Sequence, residues 1–120
     1  MWELEFYSHN GRCPMQEYLD DLRKTNRKEH DRLFNKIGLL ENLGNQIFLT
    51  KGGKISKKLE DDLYELKSDH NRVIYFFFLD NKIVLLHAFR KDKQKTPISQ
   101  IEKALRERKT YINNIKNKTV

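Results

Sequence analysis

The chain has 120 residues, is 38% hydrophobic and 34% charged, and carries a formal net charge of +7, which together predict one soluble domain over residues 1–120. No apolar run reaches the roughly 18 residues of a membrane span, and Glu3 and Glu5 exclude a signal peptide at the start. Because the single cysteine, Cys13, cannot form an internal disulfide, we expect a cytoplasmic protein with no membrane partner.

Positive charge is concentrated in the second half of the sequence. Residues 1–50 carry a net charge of −1, whereas residues 51–120 carry +8. Since Lys and Arg bind backbone phosphates and displace their counterions, this asymmetry favours a polyanionic partner, with nucleic acid first. A charged surface that only keeps the protein soluble explains the same excess, and both interpretations stay open.

The first elements in the chain are a strand and a helix. Residues 2–8 alternate apolar side chains with glutamates, which is the period-two pattern of a half-buried strand. Pro14 is favoured at a helix start, and apolar residues then recur at helical spacing until Thr25. The sequence therefore predicts a strand followed by a helix.

A second helix and a loop complete the first half. Asn26 and Glu29 have the spacing of a capping box, and the apolar stripe that follows ends near Gly44. We expect the two helices to pack as a hairpin. Residues 44–56 contain three glycines and no clear period, so they predict a mobile basic loop.

The second half predicts three consecutive strands. Residues 62–67 alternate in the pattern of a strand and are followed by turn residues. Residues 72–79 are almost continuously apolar, which predicts a central strand with both faces covered. A tight turn then leads into residues 83–90, which complete a meander.

A last helix follows the strands. Thr96 is predicted to cap this helix, Pro97 to occupy its first position and an apolar stripe to continue to Ile115, with a frayed tail at residues 116–120. The order β-α-α-β-β-β-α predicts an α+β fold, in which an antiparallel sheet carries its helices mainly on one face.

Familiar catalytic motifs are absent from the sequence. It contains no P-loop, no dinucleotide-binding glycine pattern, no HExxH and no cysteine pair for zinc, so we expect neither a metal nor another cofactor. His87 differs from the other histidines because it lies in a predicted strand near a run of basic residues, where a group that titrates near neutrality can transfer a proton. A buried, hydrogen-bonded histidine of the sheet is the more common alternative.

Basic side chains converge at one end of the predicted hairpin. If the last two strands pair, Arg72 at the start of one strand lies near Arg90 and Lys91 at the end of the other. Glu65 and Lys67 end the preceding strand at the same edge. The predicted result is a cationic cleft that contains one or two acids.

Lys93 and Lys95 extend this cationic cleft toward the last helix. Mutual repulsion destabilises such a cluster unless an anion occupies it, and phosphate oxygens are the obvious occupant. A charged rim that protects a sheet edge from aggregation is the alternative. We favour the phosphate site over the charged rim.

The second half of the chain resembles a known family of toxins. Residues 59–108 are similar to the phage-derived, HigB-like branch of the RelE/ParE toxin superfamily. In that branch an L-x-E-L-[RK] strand precedes an arginine that opens an apolar strand, and L-L-H-x-F-x-K, K-T-P and an E-x-A helix follow. The matching segments here are Leu63–Lys67, Arg72–Tyr75, Leu85–Lys91, Lys95–Pro97 and Glu102–Ala104. The resemblance implies a RelE-like fold.

This resemblance also implies the toxin of a type II toxin–antitoxin system. Such a toxin is an endoribonuclease, or mRNA interferase, that cleaves messenger RNA at the ribosome and inhibits translation. A HigA-like antitoxin neutralises it, and the two form a heterotetramer or a larger complex. The ribose 2′-OH attacks the adjacent phosphate, so the reaction needs a base, cations for the phosphorane and an acid for the leaving 5′-oxygen, but no metal.

The residue roles come with this resemblance. Arg72 matches the strand-opening arginine and would hold the scissile phosphate, with Lys91 next. His87 or Glu65 would shuttle a proton, and the choice between them is open. Lys67 and Lys95 would be supporting phosphate ligands. The basic loop and the cationic cleft add Lys57, Lys58, Arg90 and Lys93 to the residues expected to bind RNA or phosphate.

Two other functions remain open at this point. The related ParE branch poisons DNA gyrase instead of cutting RNA, so a protein-binding inhibitor is the nearest alternative. A nucleic-acid-binding module without catalysis is the third possibility. Residues 51–58, with four lysines and no acid, either contact ribosomal RNA or form a solvated loop.

Overall fold

The computed structural model describes residues 2–49, 54–92 and 95–118. Its strands are β1 (Glu3–Phe6), β2 (Ser56–Lys58), β3 (Tyr64–Ser68), β4 (Asn71–Phe78) and β5 (Lys82–Arg90). Its α-helices are α1 (Pro14–Thr25), α2 (Arg27–Leu43) and α3 (Ile98–Lys118), and short 3-10 helices cover Gly44–Leu49 and Glu60–Asp62. Within the described residues, the strands form one five-stranded sheet in the order β1-β5-β4-β3-β2.

The sheet is mixed, whereas the sequence predicted an antiparallel sheet. Three strand pairs, β2–β3, β3–β4 and β4–β5, are antiparallel, but β1 runs parallel to β5, with Glu3 opposite Lys82. Alternation of apolar residues identifies the buried face of a strand and does not specify its partner or direction. The α+β class is therefore confirmed, and the antiparallel prediction is wrong for β1.

Helices cover both faces of the sheet. α1 and α2 pack against one face, where Leu33 joins Val73 in a common core. α3 packs against the opposite face, where Ile101 joins Ile74. The prediction that the helices pack mainly on one face agrees with α1 and α2, whereas α3 lies on the opposite face. Alternate residues of β4 enter the two cores, which confirms its central position.

Regular structure occupies both ends of the predicted loop at 44–56. The first 3-10 helix buries Ile47, and β2 begins at the last residue of this segment. Gly44 has a φ of 55°, and a Cβ at this position would collide with the indole ring of Trp2, so the close approach requires glycine. Such short elements show no period in the sequence. Residues 50–53 of the predicted loop lie outside the described residues.

A β-bulge in β5 places His87 beneath α3. Ile74 pairs with His87, whereas the next residue of β4 pairs with Leu85, so Leu86 is an extra residue in this register. A bulge interrupts the alternation of side chains between the two faces. As a result, Leu86 packs in the core under α3 and the adjacent His87 contacts Glu107 of the same helix.

α3 extends beyond the predicted apolar stripe. It begins at Ile98, one residue after the predicted start, and ends at Lys118. Residues 116–118 of the predicted tail are therefore helical, and 119–120 lie outside the described residues. None of the helices in the described part of the chain has the length and apolar composition that crossing a membrane requires.

Candidate phosphate-binding site

One buried carboxylate faces three cations on the α3 side of the sheet. Glu65 of β3 is 2% exposed. Its Oε1 lies 3.6 Å from Arg72 Nε, 3.6 Å from Lys91 Nζ and 3.8 Å from Lys57 Nζ. Lys57 of β2 pairs directly with Glu65, whereas Arg72 lies near the start of β4 and Lys91 follows β5. These four residues, together with Thr96, are called the Glu65 cluster below.

Thr96 joins the cluster through its hydroxyl group. Thr96 Oγ1 donates a hydrogen bond to Glu65 Oε2, and Lys91 Nζ donates to Thr96 Oγ1 at 3.4 Å. From the sequence, Thr96 was expected only to cap α3. Its place in the K-T-P segment, beside Lys95, was the available signal for a role in the cluster. Through Thr96, the segment before α3 is attached to β3.

The guanidinium group of Arg72 is buried and incompletely paired. Arg72 is 8% exposed, and its Nη1 donates to the carbonyl oxygens of Asp69 at 2.7 Å and Asn71 at 3.0 Å. Its Nε is buried, and among the described residues it has no hydrogen-bond acceptor. The carboxylate of Glu65 lies 3.6 Å from Nε, beyond hydrogen-bond distance, so an anion that approached more closely would stabilise this buried donor.

Lys91 is a buried cation in a positive environment. Its side chain is 3% exposed. Burial lowers the pKa of Lys91, Glu65 opposes this shift, and the charges of Lys57 and Arg72 add to it. Because the pKa is lowered despite the nearby carboxylate, Glu65 compensates the ammonium group only in part.

The chemistry of the Glu65 cluster is that of an oxyanion site. Three cations and one carboxylate leave an excess of positive charge, and charge-assisted hydrogen bonds to phosphate oxygens would balance it. The carboxylate and the ammonium group also offer a proton acceptor and a proton donor. Within residues 2–49, 54–92 and 95–118, no three side chains of His, Cys, Asp or Glu are grouped as a metal site would require.

Arg90 is separated from Arg72, contrary to the expectation from the sequence. Its Nη1 donates to Glu29 Oε1 of α2 at 3.1 Å, on the sheet face opposite α3. Arg90 pairs with Asn71, and Arg72 pairs with Phe89. The two arginines thus belong to successive cross-strand pairs, and successive residues of a strand project to opposite faces.

His87 lies apart from the Glu65 cluster. It is 1% exposed, with Nδ1 2.5 Å from Glu107 Oε1 and Nε2 2.9 Å from Gln100 Oε1. Glu65 and His87 both pair with Ile74, so their Cα atoms are about 10 Å apart across β4. The structure agrees with the alternative of a buried, hydrogen-bonded histidine and does not bring His87 to the cationic cluster.

Other predicted lysines lie at the rim of the cluster. Lys67 is exposed and is the cross-strand partner of Arg72. Lys95 is exposed beside Thr96, and the side chain of Lys57 is half exposed. An anion that approaches the buried cations from solvent would therefore meet these lysines first.

Two predicted lysines are not placed in the cluster. Lys58 follows Lys57 in β2, and its Nζ lies 3.1 Å from Asp62 Oδ1 in an exposed ion pair. Because adjacent residues of a strand face opposite sides, Lys58 projects away from Glu65. Lys93 lies outside the described residues.

The α+β fold and the buried cations around Glu65 define a candidate phosphate-binding protein. Residues 18–109, which include the whole Glu65 cluster, match the family model described as Phage derived protein Gp49-like (DUF891). Because this match covers more than half of the chain, the protein belongs to the Gp49-like family, which is part of the RelE/HigB-type group of toxin–antitoxin toxins. A comparison with curated proteins finds no match.

Proposed function

We propose that this protein is the toxin of a type II toxin–antitoxin system and acts as an mRNA endoribonuclease. The observation that carries the proposal is the Glu65 cluster, in which three cations surround one buried carboxylate. Buried positive charge in excess favours binding of a phosphate from the RNA backbone. Membership in the Gp49-like family supports the role of a toxin.

Arg72 and Lys91 bind the scissile phosphate in this proposal. The phosphorane formed in the reaction carries more negative charge than the phosphodiester, so its attraction to fixed cations increases toward the transition state. Both cations are held before substrate arrives: two main-chain carbonyls bind Arg72, and Thr96 accepts a hydrogen bond from Lys91. This preorganisation lowers the barrier to reaction.

Glu65 is the proposed base, and Lys91 is the proposed acid. Glu65 takes the proton of the ribose 2′-OH while a bond forms between this oxygen and phosphorus. Lys91, whose pKa is lowered by burial, gives a proton to the 5′-oxygen as its bond to phosphorus breaks. The products are a 2′,3′-cyclic phosphate and a 5′-hydroxyl end. Because RNA supplies its own nucleophile, the proposed reaction uses no metal or other cofactor.

The substrate of the proposed reaction is messenger RNA on the ribosome. The exposed lysines Lys67 and Lys95 contact the flanking phosphates of the RNA strand, and a HigA-like antitoxin neutralises the toxin in a heterotetramer or a larger complex. The exposed positions of these two lysines support their contact with RNA, and membership in the Gp49-like family supports an antitoxin partner.

The test is to induce the protein in bacteria without its antitoxin and to map RNA ends that carry a 5′-hydroxyl group. We expect new ends at codon-related positions in translated regions. They should disappear when translation is blocked and in the Arg72→Ala variant. Arg27→Ala is the matched control, because Arg27 is an exposed arginine of α2 that pairs only loosely with Asp31, at 3.8 Å, and this variant should still cut RNA.

Three results would contradict the proposal. Growth arrest with intact RNA would indicate inhibition of DNA gyrase, and RNA binding without either arrest or cleavage would indicate a non-catalytic module. Cleavage that persists unchanged in a folded Arg72→Ala variant, judged by circular dichroism, would contradict the assignment of the site.

A further inference from the structure

The orientation of the Arg72 guanidinium depends on the backbone of one turn. Nη1 is bound by the carbonyl oxygens of Asp69 and Asn71, at 2.7 Å and 3.0 Å. These residues flank His70 in the tight connection between β3 and β4, where Ser68 pairs with Asn71. A displacement of this turn would therefore displace the guanidinium within the Glu65 cluster.

The same turn is attached to α2 on the other face of the sheet. Arg32 Nε donates to Asp69 Oδ2 at 2.8 Å, and Asn71 Nδ2 donates to Glu29 Oε1 at 2.9 Å. Both residues whose carbonyls hold Arg72 thus have their side chains bound by α2. These hydrogen bonds link α2 to the candidate site on the other face of the sheet.

The side chain of Asn71 is buried and is held by hydrogen bonds to α1 and α2. Asn71 is fully buried, and Tyr18 Oη donates to its Oδ1 at 2.5 Å, so the amide uses both its donor and its acceptor. Glu29 is itself held by Asn26 in the predicted capping box, with hydrogen bonds of 2.8 Å and 3.2 Å. A buried network in which each group has a partner admits one arrangement. Tyr18, Asn26, Glu29, Asn71 and Arg90 are called the Glu29 cluster below.

We propose that Glu29, Arg32 and Asn71 are positioning residues for Arg72. Acting through the turn, they hold the guanidinium in the Glu65 cluster, where its Nε lies 3.6 Å from Glu65 Oε1. The inference rests on the proposed function, because only in that function does Arg72 bind a reacting phosphate. Misplacement of a reacting group by about 1 Å can reduce the rate by about 100-fold, so these remote contacts affect turnover more than binding.

The test compares Arg32→Ala with Arg27→Ala. Both residues are exposed arginines of α2 that pair with an aspartate, but only the partner of Arg32 belongs to the turn. The two variants lose the same charge, so they weaken general attraction to RNA alike. With messenger RNA in a purified translation system, Arg32→Ala should lower kcat about tenfold with an unchanged KM. Arg27→Ala should keep both parameters within about twofold of the parent protein.

Asn71→Ala should lower kcat more than Arg32→Ala does, and circular dichroism decides whether this variant is folded. NMR of the arginine side chains gives a second measurement that does not depend on cleavage. In Arg32→Ala and Asn71→Ala, the Nη protons of Arg72 should exchange with water faster than in the parent protein, whereas Arg27→Ala should not change them.

The outcomes separate this inference from the proposed function. If the parent protein cuts RNA, and a folded Arg32→Ala variant keeps both its kcat and its slow Arg72 exchange, the positioning role is overturned while the proposed function stands. If the parent protein cuts no RNA, the proposed function fails, and the NMR comparison alone decides whether α2 holds Arg72.

Discussion

Two polar clusters lie at the same end of the sheet on opposite faces, and they differ in how their charges are balanced. In the Glu29 cluster one carboxylate meets one cation, Arg90, and neutral donors from Asn26 and Asn71 complete its hydrogen bonds. In the Glu65 cluster one carboxylate meets three cations, and Arg72 Nε has no acceptor among the described residues.

This contrast separates a site that stabilises the fold and holds the turn beside Arg72 from a candidate site that binds phosphate. A balanced, fully bonded cluster stabilises the fold and needs no ligand. An unbalanced buried cluster lowers the stability of the unliganded protein and gains stability when an anion enters it, which is the arrangement expected of a functional site. Substitutions in the two clusters should therefore have different consequences for stability and for activity.

The largest expected effect is on catalysis by Glu65→Gln. Loss of the carboxylate removes the proposed base, so kcat should fall on the order of 100-fold. Loss of its negative charge also strengthens phosphate binding, so KM should fall as well. Cleavage kinetics on translated RNA check both parameters. Glu17→Gln is the control, because Glu17 forms an exposed ion pair with Arg12; a Glu65→Gln variant with normal kcat would rule out Glu65 as the base.

In the Glu29 cluster we expect a loss of stability in addition to the loss of turnover that follows from the positioning of Arg72. Glu29→Ala leaves the buried Asn71 Nδ2 without its acceptor, so the free energy of unfolding should fall by about 2 kcal/mol. Urea denaturation measures this change. Glu17→Ala, which removes an exposed carboxylate, should lower the free energy of unfolding much less than Glu29→Ala. If the two losses are equal, the Glu29 cluster is not a stabilising network.

Lys91→Met should have the opposite effect on stability. It removes a buried ammonium group and leaves two cations beside Glu65, so the free energy of unfolding should rise by about 1 kcal/mol while cleavage is lost. Urea denaturation and RNA-end mapping measure the two effects. If Lys91→Met is less stable than the parent protein, the charges of the Glu65 cluster are balanced without a ligand.

The smallest expected effect is the pH dependence of the stability that Lys91→Met gains. Because burial lowers the pKa of Lys91, the folded state binds this proton less tightly than the unfolded state. The resulting cost is complete at neutral pH and decreases as the pH rises through the folded pKa toward the usual value of about 10.4. The advantage of Lys91→Met over the parent protein should therefore shrink in alkaline solution. Urea denaturation of both proteins from about pH 7 to pH 10 measures this difference, and a constant difference would argue against a lowered pKa.

Local patterns in the sequence were sufficient for the helices, most strands and part of the site. Helical and strand periods depend on residues a few positions apart, so α1, α2 and α3 were predicted from the sequence alone. The continuous apolar run at 72–79 correctly predicted the central strand. Glu65, Arg72 and Lys91 were placed together because hairpins between consecutive strands bring known ends into contact.

Contacts between distant segments were decided only by the tertiary structure. The pairing of β1 with β5 and the position of α3 leave no local pattern, since either choice buries the same apolar faces. The side of the sheet on which Arg90 lies, the burial of His87 behind a bulge and the contact of Thr96 with Glu65 all depend on register and loop path. The sequence by itself determined which residues are available for a phosphate site, and long-range packing decided which of them meet.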